Sequence, residues 1–263
     1  MITEINGKKI SPLGLGTWKM GGSGFAETTE DLKNITALKS GIENGITLID
    51  TAEMYGDGHS EELVGKAITE FDRDDLFIVT KVWNDHLRHD DLLKSANSSL
   101  KRLNSGYIDL YLIHWPSPNI PIKETISAME ELVDMGIIRN IGVSNFNNRL
   151  LQDAMDATKK YEIVVNQLEY NMSNRSVERD NLDFCRKNSV NIMAYSPLNQ
   201  GNLKFGRKIN ETAERLGITP VQTILRYLMR NSIPIPKSSS PEHILEFVGA
   251  MKEELPDQYA RAI

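Results

Sequence analysis

A chain of 263 residues can bury a large core, and its length suits a single α/β barrel. The net charge of −6, without a basic tail or stripe, argues against nucleic-acid and membrane partners. The single cysteine, Cys185, excludes an intrachain disulfide and a multi-cysteine metal site. No signal segment is visible, and no apolar run approaches the roughly 18 residues of a membrane span. We therefore expect one domain over residues 1–263, located in the cytoplasm.

The first predicted element is a β-hairpin within residues 1–11, where Asn6 and Gly7 suit a type I′ turn. Eight short apolar runs follow, and most are rich in β-branched or aromatic residues, which is typical of strands covered on both faces. These runs span residues 13–18, 46–52, 76–82, 109–115, 138–146, 162–170, 190–198 and 233–238.

Helical patterns separate the apolar runs and cover residues 29–43, 60–71, 91–103, 123–135, 150–158, 177–187, 221–230 and 241–254. Thr219 is the predicted N-cap of the seventh helix, with Pro220 at its first position. Eight strands alternating with helices predict a (β/α)8 TIM barrel behind the N-terminal β-hairpin. A doubly wound open sheet is the alternative, but the glycine-rich stretch at 13–22 does not fit the GxGxxG pattern.

Polar or titratable side chains stand at the ends of the predicted strands. In a barrel of this kind, chemistry takes place at the carboxyl ends of the strands. The geometry would therefore direct these groups toward one cavity. In chain order they are Thr17, Asp50, Lys81, His114, Ser144, Asn145, Gln167, Tyr195 and Lys237.

Four of the polar residues suggest acid–base chemistry. Asp50 and Lys81 end adjacent strands and can form an ion pair, and Tyr55 follows in a glycine-containing loop that can fold back over the barrel mouth. A nearby ammonium group would lower the pKa of the tyrosine toward the working pH, as suits a general acid. Neutral His114 could donate a hydrogen bond to the oxygen that the tyrosine protonates. Each residue alone has an ordinary structural explanation, but their shared position favours a function.

The three tryptophans, Trp18, Trp83 and Trp115, stand on or just beyond strand ends. Tryptophan most often fills a core, but three at one rim suggest an aromatic pocket for a small, partly apolar substrate. His86 and His89 stand among aspartates without a matching pair elsewhere, so we interpret them as part of a solvated loop and expect no metal.

Seven motifs in chain order resemble those of the aldo-keto reductase family. The resemblance spans nearly the whole chain and implies an NAD(P)H-dependent reductase of carbonyl compounds such as aldehydes, aldoses or dicarbonyls. The motifs are IDTAEMYGDGHSEELVGKAI (49–68), KVWNDH (81–86), DLYLIHWP (109–116), IGVSNF (141–146), NQLEYN (166–171), AYSPL (194–198) and IPKSSSPEH (235–243).

The resemblance implies a catalytic role for four residues. Hydride would pass from nicotinamide C4 to the carbonyl carbon, and Tyr55 would protonate the developing alkoxide. Lys81, held by Asp50, would assist the tyrosine, and His114 would orient the carbonyl. The three tryptophans match pocket positions of the family.

The resemblance also implies a cofactor site along the barrel mouth. The carboxamide would be held by Ser144, Asn145 and Gln167, while Tyr195 would stack on the nicotinamide ring. The backbone of residues 196–198 would hold the pyrophosphate, and residues 237–239 would hold the 2′-phosphate. The other expected cofactor contacts are Thr17, Asp50, Ser196, Pro197, Leu198, Lys237, Ser238, Ser239 and His243.

Two positions depart from the family pattern. His243 stands where NADPH-binding members usually have an arginine, and Phe247 stands where an asparagine usually contacts adenine. Losing a guanidinium removes a bidentate phosphate contact. Lys237, the serines after it and the N-terminus of the helix from Pro241 remain for an anion. NADPH is therefore the expected cofactor, with NADH possible.

The loop at 199–205 and the tail at 256–263 are shorter than in many relatives, which implies an open site with weak selection of substrate shape. Two alternatives stay open. One is a non-catalytic, cofactor-binding regulatory subunit, against which the four catalytic residues argue. The other is a barrel aldolase with a Schiff base on Lys81, although Asp50 would keep that lysine charged. The expected partner is a small carbonyl substrate, and the expected state is a monomer or weak homo-oligomer.

Overall fold

The hairpin at the start of the chain covers one end of the fold. The structure is a computed structural model that describes residues 4–203 and 205–263. Strands β1 (Glu4–Ile5) and β2 (Lys8–Lys9) pair antiparallel. Asn6 and Gly7 have φ values of 46° and 80°, as a type I′ turn requires. The hairpin prediction is confirmed from residue 4 onward, and residues 1–3 of the predicted hairpin lie outside the described residues.

Eight parallel strands form the wall of the barrel, each pairing with the next in chain order. The first and last strands meet where the Gly16 amide donates to the Pro236 carbonyl over 2.9 Å, which nearly closes the sheet. The predicted (β/α)8 barrel is thus confirmed. The strands are β3 (Gly14–Gly16), β4 (Leu48–Asp50), β5 (Phe77–Val82), β6 (Ile108–Ile113), β7 (Ile138–Ser144), β8 (Ile163–Glu169), β9 (Asn191–Tyr195) and β10 (Ile233–Pro234).

Helices follow the barrel strands and cover their outer faces. In chain order they are α1 (Asp31–Glu43), α2 (His59–Ile68), α3 (His89–Leu103), α4 (Ile122–Asp134), α5 (Asn148–Ala157), α6 (Ser176–Asp180), α7 (Leu182–Lys187), α8 (Arg207–Leu216), α9 (Pro220–Leu228), α10 (Pro241–Ala250) and α11 (Asp257–Ala260). None of the helices in the described parts of the chain is long and apolar enough to cross a membrane.

The predicted N-cap at Thr219 is confirmed. Its hydroxyl accepts from the Gln222 amide over 3.1 Å, and the Gln222 side chain accepts from the Thr219 amide over the same distance. The helix predicted at 177–187 is in fact two short helices. Asn181 separates them with φ −121° and ψ −30°, and its side chain donates to Asn148 of α5 over 3.1 Å.

The core has two layers, one between strands and helices and one inside the barrel. Side chains two residues apart on a strand point to the same face, and those that point into the barrel fill its hairpin end. These include Leu48, Phe77, Val79, Leu110, Leu112, Val165, Met193, Ile233 and Ile235, with Ile5 and Ile10 from the hairpin region. Because the hairpin end is filled with apolar side chains, polar chemistry is left to the carboxyl end.

Candidate active site

The polar site continues the inward-facing positions of the barrel strands. Side chains alternate with period two along a strand, so the residue two places beyond an inward apolar residue also faces inward. Inward-facing apolar residues stand two places before each member of the site: Leu48 before Asp50, Val79 before Lys81, Leu112 before His114, Val165 before Gln167, and Met193 before Tyr195. The sequence therefore assembles the site by following each apolar run with one polar residue.

Lys81 lies at the centre of the site and is wholly buried. Its ammonium donates to the Asp50 carboxylate over 2.7 Å, to the Thr51 carbonyl over 2.8 Å and to the Tyr55 hydroxyl over 3.4 Å. Three donors are what a charged lysine offers, and all three have acceptors. Burial lowers the pKa of Lys81 and raises that of Asp50, and the attraction between the two opposes both shifts.

Tyr55 is held over the barrel mouth by a tight turn. Its amide donates to the Ala52 carbonyl over 3.1 Å, and the following Gly56 has a φ of +57°. A Cβ on Gly56 would lie 2.1 Å from the Gly21 carbonyl oxygen, so only glycine permits this approach of two loops. The tyrosine hydroxyl thereby reaches Lys81 from the side that faces the cavity.

The expected direction of the Tyr55 pKa is wrong. Burial, followed by the charge of Asp50, raises the pKa of Tyr55 well above its usual range. Burial disfavours the charged phenolate, and this is the larger of the two causes. Tyr55 consequently keeps its proton at neutral pH, which is the form that a general acid requires.

His114 is neutral, as the sequence predicts. Burial and the nearby Lys81 lower its pKa to about 2. Its Nδ1 has no hydrogen-bond partner among the described residues, so no protein group holds the ring proton at that nitrogen. A neutral imidazole beside the tyrosine can donate to a substrate oxygen without transferring a proton to it.

Aromatic rings form part of the wall around the tyrosine and histidine. Trp18 meets Tyr55 edge to face at 4.8 Å between ring centroids, and Trp83 meets His114 at 5.3 Å. Trp115 is 42% exposed and stands at the rim. The structure therefore places two of the three tryptophans against the candidate catalytic groups.

The residues expected at the nicotinamide carboxamide form one hydrogen-bonded network. The Asn145 amide donates to the His114 carbonyl over 3.1 Å and to the Ser144 hydroxyl over 3.0 Å, and it accepts from the Tyr195 hydroxyl over 2.9 Å. The Gln167 amide donates to Asp50 over 2.7 Å, which joins this network to the lysine. Amide and hydroxyl groups so placed offer both donors and acceptors to a bound carboxamide.

Thr17 bonds to the backbone of the candidate catalytic aspartate. Its side chain is fully buried, donates to the Asp50 carbonyl over 3.0 Å and accepts from the Ser60 hydroxyl over 2.8 Å. Thr17 therefore supports Asp50, and its contact with a cofactor stays a prediction.

A basic site suited to an anion lies beyond β10. Lys237 donates to the Ser239 hydroxyl over 2.8 Å, and Ser239 donates to Asn34 of α1 over 2.7 Å. Burial and the nearby Lys33 and Lys19 lower the pKa of Lys237, and Glu30, which pairs with Lys33 over 2.6 Å, opposes the shift. Sequence reasoning missed the α1 residues Asn34 and Lys33, because they stand some 200 positions from the motif they join.

The two departures from the family pattern have different structural settings. His243 is exposed, and its Nδ1 lies 3.3 Å from the Ser238 hydroxyl. Phe247 is 3% exposed and packs in the outer core layer, so it is turned away from any ligand at the surface. In residues 4–203 and 205–263, no cluster of three or more metal-ligating side chains is present.

A stretch rich in turns follows β9 and begins at Ser196, whose φ is 49°. Asn199, Gln200 and Gly201 also have positive φ values, and the Asn199 amide donates to the Ser196 carbonyl over 2.9 Å. Left-handed backbone at successive positions curves the chain around the cavity edge, where the sequence predicts a pyrophosphate contact.

A parallel barrel with a buried Tyr–Lys–Asp–His cluster at the carboxyl ends of its strands defines an oxidoreductase class. The chain belongs to the aldo-keto reductase family, whose family model matches residues 12–263. The resemblance seen in the motifs is thereby confirmed.

Individual relatives agree with this assignment. The chain is 37% identical to a methylglyoxal reductase of Escherichia coli, covering 97% of this chain and 90% of that protein. It is also 37% identical to a glyoxal reductase of Bacillus subtilis, covering 92% of this chain and 83% of the relative.

Solved structures match over almost the whole fold. A thermostable aldo-keto reductase in complex with the inhibitor epalrestat superposes with a TM-score of 0.95 at 47% identity, covering 99% of this chain and 98% of the other. An aldo/keto reductase from Klebsiella pneumoniae in complex with NADP and acetate gives 0.89 at 37% identity, covering 97% and 90%.

Proposed function

We propose that the protein is an NADPH-dependent reductase of small aldehydes and α-dicarbonyls. The observation that carries the proposal is the position of the Tyr55 hydroxyl, 3.4 Å from the buried ammonium of Lys81, with the His114 ring 5.7 Å from the tyrosine ring. Relatives named methylglyoxal and glyoxal reductases support the dicarbonyl class. A pocket walled by Trp18 and Trp83 suits such small substrates.

The residues present fit a nicotinamide dinucleotide phosphate. The Ser144, Asn145 and Gln167 network offers groups that match a carboxamide, and Tyr195 stands beside it. Lys237 has no carboxylate within ion-pair distance among the described residues, so its charge is available to a phosphate. Relatives crystallised with NADP or NADPH support this choice.

In the proposed mechanism, the reduced nicotinamide supplies a hydride to the carbonyl carbon when bound. Tyr55 donates its proton to the carbonyl oxygen as negative charge develops there. Lys81 stabilises the phenolate left behind, and Asp50 keeps the lysine charged. His114 donates a hydrogen bond that holds the oxygen in position, and the tryptophan wall limits the access of water.

A Schiff-base reaction on Lys81 is disfavoured by the same geometry. All three donors of the ammonium are bonded, and the side chain is wholly buried. A nucleophilic amine needs a free lone pair and access to a carbonyl carbon. The non-catalytic regulatory role is disfavoured because the acid, its lysine and its histidine are all assembled.

Cys185 is buried and unpaired, which suits a reducing compartment. We propose a cytoplasmic location and a monomer or weak homo-oligomer; native mass determination in solution tests the second statement.

The proposed function is tested by following NADPH oxidation with methylglyoxal and with nitrobenzaldehyde. We expect turnover by the wild-type protein and a loss of about 10²-fold or more in Tyr55→Phe, because proton donation by a positioned acid contributes about 10²–10⁴-fold. NADP⁺ binding, measured by calorimetry, should be retained in the variant. Binding of NADP⁺ without any turnover of either substrate would instead favour the regulatory role.

A further inference from the structure

Glu53 joins three elements around the active site, two residues before Tyr55. One carboxylate oxygen accepts from the Trp83 amide over 2.6 Å and from His86 Nδ1 over 3.0 Å. The other oxygen accepts from the Ser95 hydroxyl of α3. The Glu53 side chain is only 9% exposed, so these bonds are largely shielded from water.

The backbone of the same residue extends the sheet beyond its last paired position. The Thr51 amide donates to the Val79 carbonyl over 2.9 Å, and the Glu53 amide donates to the Lys81 carbonyl over 3.4 Å. The carboxylate then bonds the Trp83 amide, two residues further along β5 and its continuation. Glu53 therefore bonds to the residues on both sides of Val82: its amide bonds to Lys81, and its carboxylate bonds to Trp83.

These bonds fix two distances that matter for the proposed reaction: from the Tyr55 turn to Lys81, and from the Trp83 ring to His114. The tyrosine turn cannot move away from Lys81 without breaking the bond to Trp83. Trp83 in turn carries the ring that packs against His114 at 5.3 Å. Glu53 therefore connects the position of the acid, Tyr55, to that of His114, which orients the carbonyl.

We propose that Glu53 is a positioning residue that holds Tyr55 in register with Lys81 and with the Trp83 ring against His114. The inference rests on the proposed function, because it assigns Glu53 a part in the same proton donation. Glu53 does not touch the reacting atoms: its effect is transmitted through the turn at 52–55 and the Trp83 amide.

The test compares Glu53→Ala, Glu53→Gln and the control His86→Ala. Glutamine keeps an acceptor oxygen for the Trp83 amide, whereas alanine removes it. We expect kcat to fall about tenfold to 10²-fold in Glu53→Ala, because displacement of a catalytic group by about 1 Å can cost about 10²-fold. Glu53→Gln should stay within about threefold of wild type. His86→Ala, which removes only the half-exposed third partner, should stay within about twofold.

Two further readouts separate positioning from general damage to the fold. The primary deuterium isotope effect on kcat, with NADPH labelled at the transferred hydrogen, should rise in Glu53→Ala as the chemical step slows. The Kd for NADP⁺ by calorimetry should change less than about twofold, because the expected carboxamide contacts lie on or just after β7 and β8 and the expected 2′-phosphate contacts lie beyond β10.

Two results would overturn the positioning role: a kcat of Glu53→Ala within about twofold of wild type, or a loss in Glu53→Gln as large as in Glu53→Ala. Tyr55→Phe, run in parallel, separates this failure from failure of the proposed function. If Tyr55→Phe turns over normally, the proposed acid is wrong whatever Glu53 does. If only Tyr55→Phe is inactive, the positioning role alone is wrong.

Discussion

Asn34 shows how a single residue from a distant element can affect cofactor choice. Its carboxamide is 3% exposed and accepts from Ser239, which in turn accepts from Lys237. This chain of bonds sets the direction of the serine hydroxyl at the expected 2′-phosphate position. Rotation of the Asn34 amide exchanges its oxygen and its nitrogen. In the rotated form Asn34 donates to the Ser239 oxygen, and the hydroxyl hydrogen of Ser239 is then free to donate to an anion.

We expect Asn34→Asp to weaken NADPH binding about tenfold while leaving NADH within about twofold, since a carboxylate only accepts and repels the 2′-phosphate. Calorimetric titration with adenosine 2′,5′-bisphosphate and with 5′-AMP measures this without turnover. His243→Arg is the opposite change and should tighten NADPH more than NADH. Equal changes for both nucleotides in either variant would place the phosphate elsewhere.

The identity of the polar side chains, the Asp50–Lys81 pair and the neutral state of His114 could be predicted from the sequence, but the direction of the Tyr55 pKa could not. Asp50, Lys81 and His114 each stand two places beyond an inward apolar residue, which any strand pattern reveals. The pKa of Tyr55 depends instead on how completely the surrounding loops exclude water. Asn34 and Glu53 act through contacts that span many residues or lie in a loop, and no local pattern indicates them.

At the scale of elements, two loops rather than two strands hold the candidate acid. The turn after β4 carries Tyr55, and the loop after β3 carries Trp18, whose rings meet at 4.8 Å. The loops touch where Gly56 approaches the Gly21 carbonyl, and Ser60, near the start of α2, donates its hydroxyl to Thr17 just after β3. The position of the acid therefore depends on a close backbone approach as well as on Lys81.

We expect Gly56→Ala to destabilise the fold by about 1–3 kcal/mol and to lower kcat, because a Cβ must displace the Gly21 carbonyl and tolerate a left-handed φ. Gly45→Ala is the matched control: its φ is +92°, yet a Cβ there meets nothing within 4 Å. It should show the backbone strain alone, with an unchanged kcat. Urea unfolding and steady-state kinetics measure the two effects, and a fully active Gly56→Ala would show that the loop contact does not position Tyr55.

The order of the elements followed from the sequence better than their ends did. Each predicted strand is present, because short runs that are nearly continuously apolar suit a buried parallel sheet. The sequence did not predict the break between α6 and α7, which lies at Asn181, where the side chain donates to Asn148 on a neighbouring helix. The periodicity of apolar residues does not indicate such a contact, so the sequence pattern predicts one continuous helix.

At the scale of the whole molecule, the two ends of the barrel have separate tasks. The hairpin end is closed by a buried carboxylate, Asp109, that accepts from Lys8 over 2.8 Å, from Arg73 over 2.6 Å and from the Ile78 amide over 2.9 Å. The candidate active site lies at the opposite end. In a barrel of this kind the first end contributes to stability and the second to chemistry.

We expect Asp109→Ala to lower the free energy of unfolding by about 3 kcal/mol or more, because removing one partner of a buried ion pair leaves the other charges uncompensated. The same variant should keep kcat/KM within about twofold at temperatures where it stays folded, since the apolar layer inside the barrel separates Asp109 from Lys81. Asp75→Asn, at an exposed position of the same end, controls for the loss of charge and should change stability by less than about 0.5 kcal/mol. Urea unfolding monitored by tryptophan fluorescence gives the stabilities. If folded Asp109→Ala also loses kcat/KM, the two ends of the barrel are coupled. The coupling would then run through the backbone of the strands, because the apolar side chains between the two ends carry no charge.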